Sequence, residues 1–120
     1  MSVVNRDIVL PVPRERAWEL ITDPAELEQW LADDVDFEAV EDAPLRVAWE
    51  SGEEREGVVE TVEDGERIVF RWGDSRVEWA LEDHPLGTRF SVVEHRVGSD
   101  SFVWGPSLMA LSSASAACPV

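Results

Sequence analysis

Few side chains of this sequence have the types and spacings that catalysis or metal binding requires. The spacings of a phosphate-binding loop, a nucleophile elbow and a zinc-binding histidine pair are all missing. His84 and His95 are too isolated in sequence to suggest a metal site, and we interpret both as structural or solvated residues. The cluster of Asp33, Asp34 and Asp36 lacks the interleaved glycine and the distal glutamate of a calcium-binding loop. We therefore expect a solvated acidic loop there, and no metal or cofactor.

Glu94 is the side chain best suited to a polar role in a pocket. Glu94 lies two residues after Val92 and four after Phe90, so all three side chains point to the same face of a regular strand. A strand without a bulge would therefore direct the Glu94 carboxylate inward. Because a buried carboxylate is costly unless it is paired or hydrogen-bonded, an inward Glu94 would be a polar anchor in a pocket. A strand that ends at this residue would instead leave the carboxylate in solvent, and both placements are compatible with the sequence.

Three of the six tryptophans, Trp49, Trp72 and Trp79, occupy the apolar positions of three predicted strands. Their side chains are therefore expected to converge on one face of a sheet. One interpretation is core packing, since a tryptophan buries on the order of 200 Å². The other is a pocket wall, because bulky rings with N–H donors leave irregular space and supply a polar contact.

The acidic composition limits the class of partner. All ten basic residues are arginines, and 26 acidic residues give the chain a formal net charge of −16. Such a field repels phosphate backbones and anionic lipid head groups, so we expect neither nucleic-acid nor membrane-surface binding. With 44% apolar residues, the chain is expected to fold as one domain over residues 1–120. The single Cys118 excludes an intramolecular disulfide, and the lack of a long apolar segment predicts a cytoplasmic protein.

Two short helices are predicted near the start of the chain. A proline in the first turn and apolar residues at helical spacing predict a helix over residues 14–21. Asp23 has the features of an N-cap followed by Pro24, with Glu26 completing a capping box. A second helix is therefore predicted over residues 24–31.

The apolar period changes to two after the second helix. Alternating apolar and polar residues with turn signals between them predict about five consecutive antiparallel strands between residues 45 and 97. A short edge strand over residues 8–12 precedes the helices. A terminal helix is predicted over residues 106–116. Three of its apolar residues are expected to cover the sheet: Leu108, Met109 and Leu111.

This order of elements resembles the START-like (SRPBCC) superfamily, and the motifs resemble its branch related to the activator of the heat-shock-protein-90 ATPase. The resemblance is carried by residues 12–18 with Asp23-Pro24 and Trp30 after them, by residues 57–72, and by residues 87–90. It implies an α+β helix-grip fold with a curved antiparallel sheet of about six strands and two short helices after the first strand. A C-terminal helix would pack on the concave face around an apolar cavity. The terminal helix is shorter than is common in the family, so we expect a short lid.

The superfamily includes lipid carriers, hormone receptors, polyketide cyclases and co-chaperone domains, so its fold alone does not define a function. Our leading hypothesis is binding of a hydrophobic or amphipathic small molecule between the sheet and the terminal helix. The candidate ligand-binding residues come from the sheet and the lid: Trp49, Trp72, Trp79, Phe90, Glu94, Trp104 and Leu108. The second hypothesis is a protein-interaction module with a chaperone partner. The third is a cyclase-type or hydrolase-type enzyme, for which Glu94 is the one acid-base candidate, so we assign no catalytic residue. The oligomeric state is not defined by the sequence.

Overall fold

The computed structural model describes residues 2–96 and 104–116, which form seven strands and three helices. In chain order the elements are β1 (Ser2–Leu10), α1 (Arg14–Thr22), α2 (Pro24–Trp30), β2 (Asp34–Asp36), β3 (Pro44–Ala48), β4 (Glu54–Glu63), β5 (Arg67–Trp72), β6 (Ser75–His84), β7 (Gly87–Arg96) and α3 (Trp104–Ala116). Cys118 lies outside the described residues, as does residue 97 at the end of the predicted meander. Within them, no helix is long and apolar enough to cross a membrane.

All seven strands join one antiparallel sheet in the order β1-β7-β6-β5-β4-β3-β2. Strands β3 to β7 pair with their neighbours in sequence, which confirms the predicted meander. Strand β1 forms one edge of the sheet and pairs with β7 from Ser2↔Arg96 to Leu10↔Thr88. The helix-grip architecture is therefore present, with seven strands rather than about six.

The additional strand is β2, where the sequence predicted an acidic loop, and that prediction was wrong. Val35 is buried and pairs with β3, while the aspartates on either side of it are exposed. Arg46 on β3 offsets their mutual repulsion, because its Nη1 lies 3.4 Å from Asp34 Oδ2 and 3.7 Å from Asp36 Oδ2. Hydrogen bonding to Glu54, and then to Asp34, raises the pKa of the Arg46 guanidinium.

Strand β1 is an edge strand as predicted, but the predicted bounds of residues 8–12 were wrong. The strand begins at Ser2 and ends at Leu10. It ends there because Pro11 has no N–H to continue the ladder. Its first half lacks a clear apolar alternation, so pairing with β7, rather than its own hydrophobic pattern, defines its start.

Helices α1 and α2 meet at Asp23, which serves both of them. Its Oδ1 accepts a hydrogen bond from Ala25 N at 2.9 Å, which confirms the predicted N-cap of α2. Its backbone N–H donates to Glu19 O at the end of α1. Because that N–H is already used, Glu26 cannot complete the predicted capping box, and its carboxylate instead pairs with Arg16.

We expect Asp23→Ala to lower the free energy of unfolding by about 1 kcal/mol, because it removes the side-chain acceptor for the Ala25 N–H. Urea denaturation monitored by circular dichroism would measure this change. The control is Glu38→Ala, which removes an exposed carboxylate and should change stability by less than about 0.5 kcal/mol. Equal effects of the two substitutions would contradict the capping role.

Helix α3 packs against β1, α1 and α2 and covers the concave face of the sheet. It begins at Trp104, so Pro106 is its third residue rather than its first. Trp104, Leu108 and Leu111 are buried on one face of the helix. Met109 is 73% exposed, so the prediction that it covers the sheet was wrong. A residue directly after Leu108 projects about a quarter turn away from that buried face.

Candidate functional site

The concave face of the sheet is built from the inward positions of β5, β6 and β7. Residues of the same parity point to one side of a strand, and the registers Phe70↔Val77 and Val77↔Glu94 place these residues in one row across the sheet. Trp72↔Ser75 is the next pair toward the sheet end where β7 finishes. An apolar surface thus carries two polar residues, Ser75 and Glu94, near that end.

Trp79 lies at the centre of an aromatic cluster on this face. The centroid of its ring is 4.9 Å from that of Phe70, 5.7 Å from Phe90, 5.5 Å from Trp30 and 6.1 Å from Trp104. The contacts with Phe70, Phe90 and Trp104 are edge-to-face, a favourable arrangement for aromatic quadrupoles. The cluster therefore connects the sheet with α2 and with the lid helix α3.

Glu94 is fully buried on the same face, because β7 continues without a bulge to Arg96. The inward alternative for this residue is thus confirmed. Its cross-strand neighbours are Val4 on β1 and Val77 on β6. Glu94 Oε1 accepts a hydrogen bond from Trp104 Nε1 at 3.0 Å. Its second oxygen, Oε2, is buried and has no hydrogen-bond partner within the described part of the chain.

Two further buried polar atoms near Glu94 have no hydrogen-bond partner among the described residues: Trp79 Nε1 and Ser75 Oγ. Ser75 and Trp79 flank Val77, the residue opposite Glu94, and so are its diagonal neighbours on the sheet. Two other indoles are satisfied: Trp30 Nε1 donates to Leu20 O, and Trp49 Nε1 donates to Leu31 O. Each unsatisfied buried group costs about 1–3 kcal/mol, so their concentration at one place requires an explanation.

Two stacked tryptophan rings connect the sheet near Ser75 with the first turn of α3. The Trp72 and Trp104 rings are nearly parallel, at 19°, with centroids 5.8 Å apart. The guanidinium of Arg55 on β4 is buried and lies 5.4 Å from the centre of the Trp72 ring, in a cation–π contact. Sequence reasoning missed Arg55 and Ser75. Both occupy inward strand positions, and a polar residue at an apolar position was the available signal.

Trp49 is the one predicted site residue that the structure separates from the others. It follows the end of β3, is half-buried, and contacts α2 through its hydrogen bond to Leu31 O at 3.0 Å. It lines an open cleft of about 260 Å³ together with Trp30 on α2 and Ser107 on α3. The other predicted residues, Trp72, Trp79, Phe90, Glu94, Trp104 and Leu108, are all buried in the concave core.

The concave side chains are closely packed. Trp79, Phe90 and Glu94 are each 0% exposed, so no water-sized space adjoins them. Trp104 and Leu108 of α3 form part of their cover. Access to the buried polar atoms therefore requires displacement of the lid. The cleft that Trp49 lines also includes Ser107 of α3, so it is open at the edge of that lid.

Comparison with known proteins supports this architecture. The family model described as Activator of Hsp90 ATPase homolog 1-like protein matches residues 11–102, which is more than half of the chain. No curated protein matches. Protein MLL2253 from Mesorhizobium loti has a similar structure, with a TM-score of 0.85 and 19% identity, over 93% of this chain and 95% of that one.

Two other solved structures are similar. The Aha1 dimer from Colwellia psychrerythraea has a TM-score of 0.82 and 14% identity, over 96% of each chain. DynU16, a protein in the dynemicin biosynthetic locus, has a TM-score of 0.83 and 24% identity, over 94% of this chain and 46% of its own. At these identities the likeness shows a shared fold. Together with the matching family model, it shows that the chain belongs to the Activator of Hsp90 ATPase homolog 1-like family and has the START-like helix-grip fold.

Proposed function

We propose that this domain binds a hydrophobic or amphipathic small molecule between the concave face of the sheet and α3. The observation that carries the proposal is the group of buried atoms without a hydrogen-bond partner in the described chain: Glu94 Oε2, Trp79 Nε1 and Ser75 Oγ. Folded proteins satisfy nearly all of their buried polar groups, and exceptions commonly mark functional positions. A ligand that supplied hydrogen bonds here would recover the cost of leaving these groups unsatisfied.

The surrounding residues have distinct roles in this proposal. Phe90 and the rings of Trp72 and Trp79 provide apolar contact area, while Glu94 orients the polar group of the ligand. Trp104 and Leu108 belong to the lid, and the hydrogen bond from Trp104 Nε1 to Glu94 holds that lid closed. Entry of a ligand would break or rearrange this hydrogen bond.

The family assignment supports a ligand-binding or interaction domain in general. The location of DynU16 in a biosynthetic locus is consistent with a role in small-molecule chemistry. The enzyme alternative has less support, because the described hydrogen-bond partner of Glu94 is the Trp104 N–H, which donates a proton in a hydrogen bond but does not act as a base. Binding without turnover is therefore the function that the site geometry favours.

Tryptophan fluorescence during titration with fatty acids, sterols and aromatic polyketides tests the proposal. We expect saturable changes for at least one of these classes, together with a rise in Tm from ligand binding to the folded state. Trp79→Phe keeps a ring at the centre of the cluster but removes its N–H donor. For a ligand that accepts this hydrogen bond, we expect affinity to fall about two- to tenfold.

The matched control is Trp18→Phe, which changes a half-buried tryptophan on α1 that lines a different cleft, with Arg14 and Gly65. It should leave affinity unchanged. Native mass spectrometry of the purified protein would identify any molecule that co-purifies. If no member of a broad apolar library changes fluorescence or Tm, the binding proposal is wrong, and a chaperone pull-down becomes the next experiment.

A further inference from the structure

Resting on the proposed function, we infer that the bound molecule carries a protonated amine, which Glu94 binds at the lid end of the concave face. The starting point is that no described side chain forms an ion pair that would neutralise Glu94. Glu94 makes no ion pair within the described residues, whereas the described ion pairs of Arg14, Arg16, Arg46 and Arg67 all involve carboxylates nearer the surface. An uncompensated buried carboxylate is among the most costly groups in a protein interior.

An ammonium group matches the two oxygen acceptors at this position, whereas the Trp79 N–H requires an acceptor elsewhere on the ligand. The ammonium group donates as many as three hydrogen bonds and accepts none. Glu94 Oε2 and Ser75 Oγ are both buried acceptors without a described partner, and Glu94 Oε1 is already used by Trp104. A neutral alcohol could donate to one of these oxygens, but it would not balance the charge of the carboxylate. The charge thus favours an amine over a hydroxyl group.

The aromatic surroundings also favour a cation. Trp104 donates a hydrogen bond to Glu94, and Trp79 is its diagonal neighbour on the sheet. Indole faces attract cations more strongly than those of other aromatic side chains. One cation is already held in this way at the same end of the sheet, because the Arg55 guanidinium lies 5.4 Å from the centre of the Trp72 ring. The concave face thus already contains one contact between a positive charge and an aromatic ring.

The open cleft that Ser107 of α3 lines has the same preference. The cleft of about 260 Å³ between α2 and α3 is lined by the carboxylates of Glu28 and Asp33 and by Trp49, with no arginine in its described lining. The whole chain carries a formal net charge of −16. A field of this sign raises the local concentration of cations and repels carboxylate ligands such as fatty acids.

Three ligands with the same eight-carbon chain separate the head groups: octylamine, octanol and octanoate. Affinities for the full-length protein would be measured by isothermal titration calorimetry at neutral pH. We expect octylamine to bind about tenfold or more tightly than either of the others, the fold-change that corresponds to a hydrogen bond with a charged group. E94Q keeps the shape of the side chain and can still accept from Trp104, but it removes the negative charge and should abolish this preference.

The matched control is E82Q, which removes the same charge from an exposed position on β6 and should behave like the unmodified protein. Near-UV circular dichroism would verify the fold of both variants. Equal affinity for octylamine and octanol, or tighter binding of octanoate, would overturn the amine inference and leave the binding proposal standing. If E82Q also lost the preference for octylamine, the overall negative charge of the protein would be its cause, and the inference would be overturned too. If none of the three ligands binds the unmodified protein, the amine inference is wrong, and the titration with fatty acids, sterols and aromatic polyketides decides whether the binding proposal stands.

Discussion

A chain that ends at residue 103 should lose its cooperative thermal unfolding transition. Removal of α3 withdraws Trp104, Leu108 and Leu111 from the concave face, where each of them is at most 4% exposed. At about 1.5–3 kcal/mol for each large apolar side chain, their burial contributes about 5–9 kcal/mol as an upper estimate. This sum is comparable with the whole free energy of unfolding of a typical domain, about 5–15 kcal/mol. We expect the shortened chain to bind a hydrophobic dye and to show no sharp calorimetric peak.

Single substitutions in α3 provide a control that preserves the chain length. Leu111 is 0% exposed, and Leu111→Ala should lower the free energy of unfolding by about 2–5 kcal/mol. Met109 is 73% exposed, and Met109→Ala should change it by less than about 0.5 kcal/mol. If the shortened chain melts sharply within a few degrees of the full-length protein, α3 is not a structural lid, and the ligand site beneath it must be abandoned.

The sequence predicted the central sheet because its strands are apolar on one face and polar on the other. In β6, the buried residues Val77, Trp79 and Leu81 alternate with half-buried residues between them, as the period of two required. Strand β2 was missed because its aspartates resemble a loop, and only pairing with β3 makes Val35 an inward residue. Met109 was misplaced because it lies beside apolar residues in a short helix, and its neighbours alone do not define the buried face.

The candidate site was predicted in part, for a similar reason. Strand parity was sufficient to place Trp72 and Trp79 on one face, whereas for Glu94 it left the inward and the solvent-exposed placements open until the length of β7 was known. Parity does not define which residues are neighbours across strands. The proximity of Ser75 to Glu94 and the contact of Arg55 with Trp72 became visible only when the registers of four strands were known. Trp49 was grouped with the other rings because the sequence does not show which residues are neighbours across strands. Its strand ends one residue earlier, and its ring turns toward α2.

The second large effect is expected at Gly57, where β4 and β5 approach each other too closely for any side chain. Gly57 pairs with Trp72, and a Cβ atom at Gly57 would overlap the carbonyl oxygen of Arg71 and lie 2.8 Å from Trp72 Cα. These atoms belong to the backbone, so they cannot move without separating the two strands. Such a separation would break ladder hydrogen bonds and shift the Trp72 ring, which stacks on Trp104 at the lid.

We therefore expect Gly57→Ala to lower the free energy of unfolding by about 3 kcal/mol or more, because this is overpacking against immobile atoms. Urea denaturation would measure the loss, and near-UV circular dichroism would report the altered stacking of Trp72 and Trp104. The matched control is Gly73→Ala, in the turn that follows Trp72. Gly73 has φ of 55° and open space around it, so a methyl group there meets no atom and adds only the left-handed backbone cost of about 1–2 kcal/mol. A larger loss in Gly73→Ala than in Gly57→Ala would mean that backbone conformation, and not the close approach of β4 to β5, determines how Trp72 is held beneath the lid.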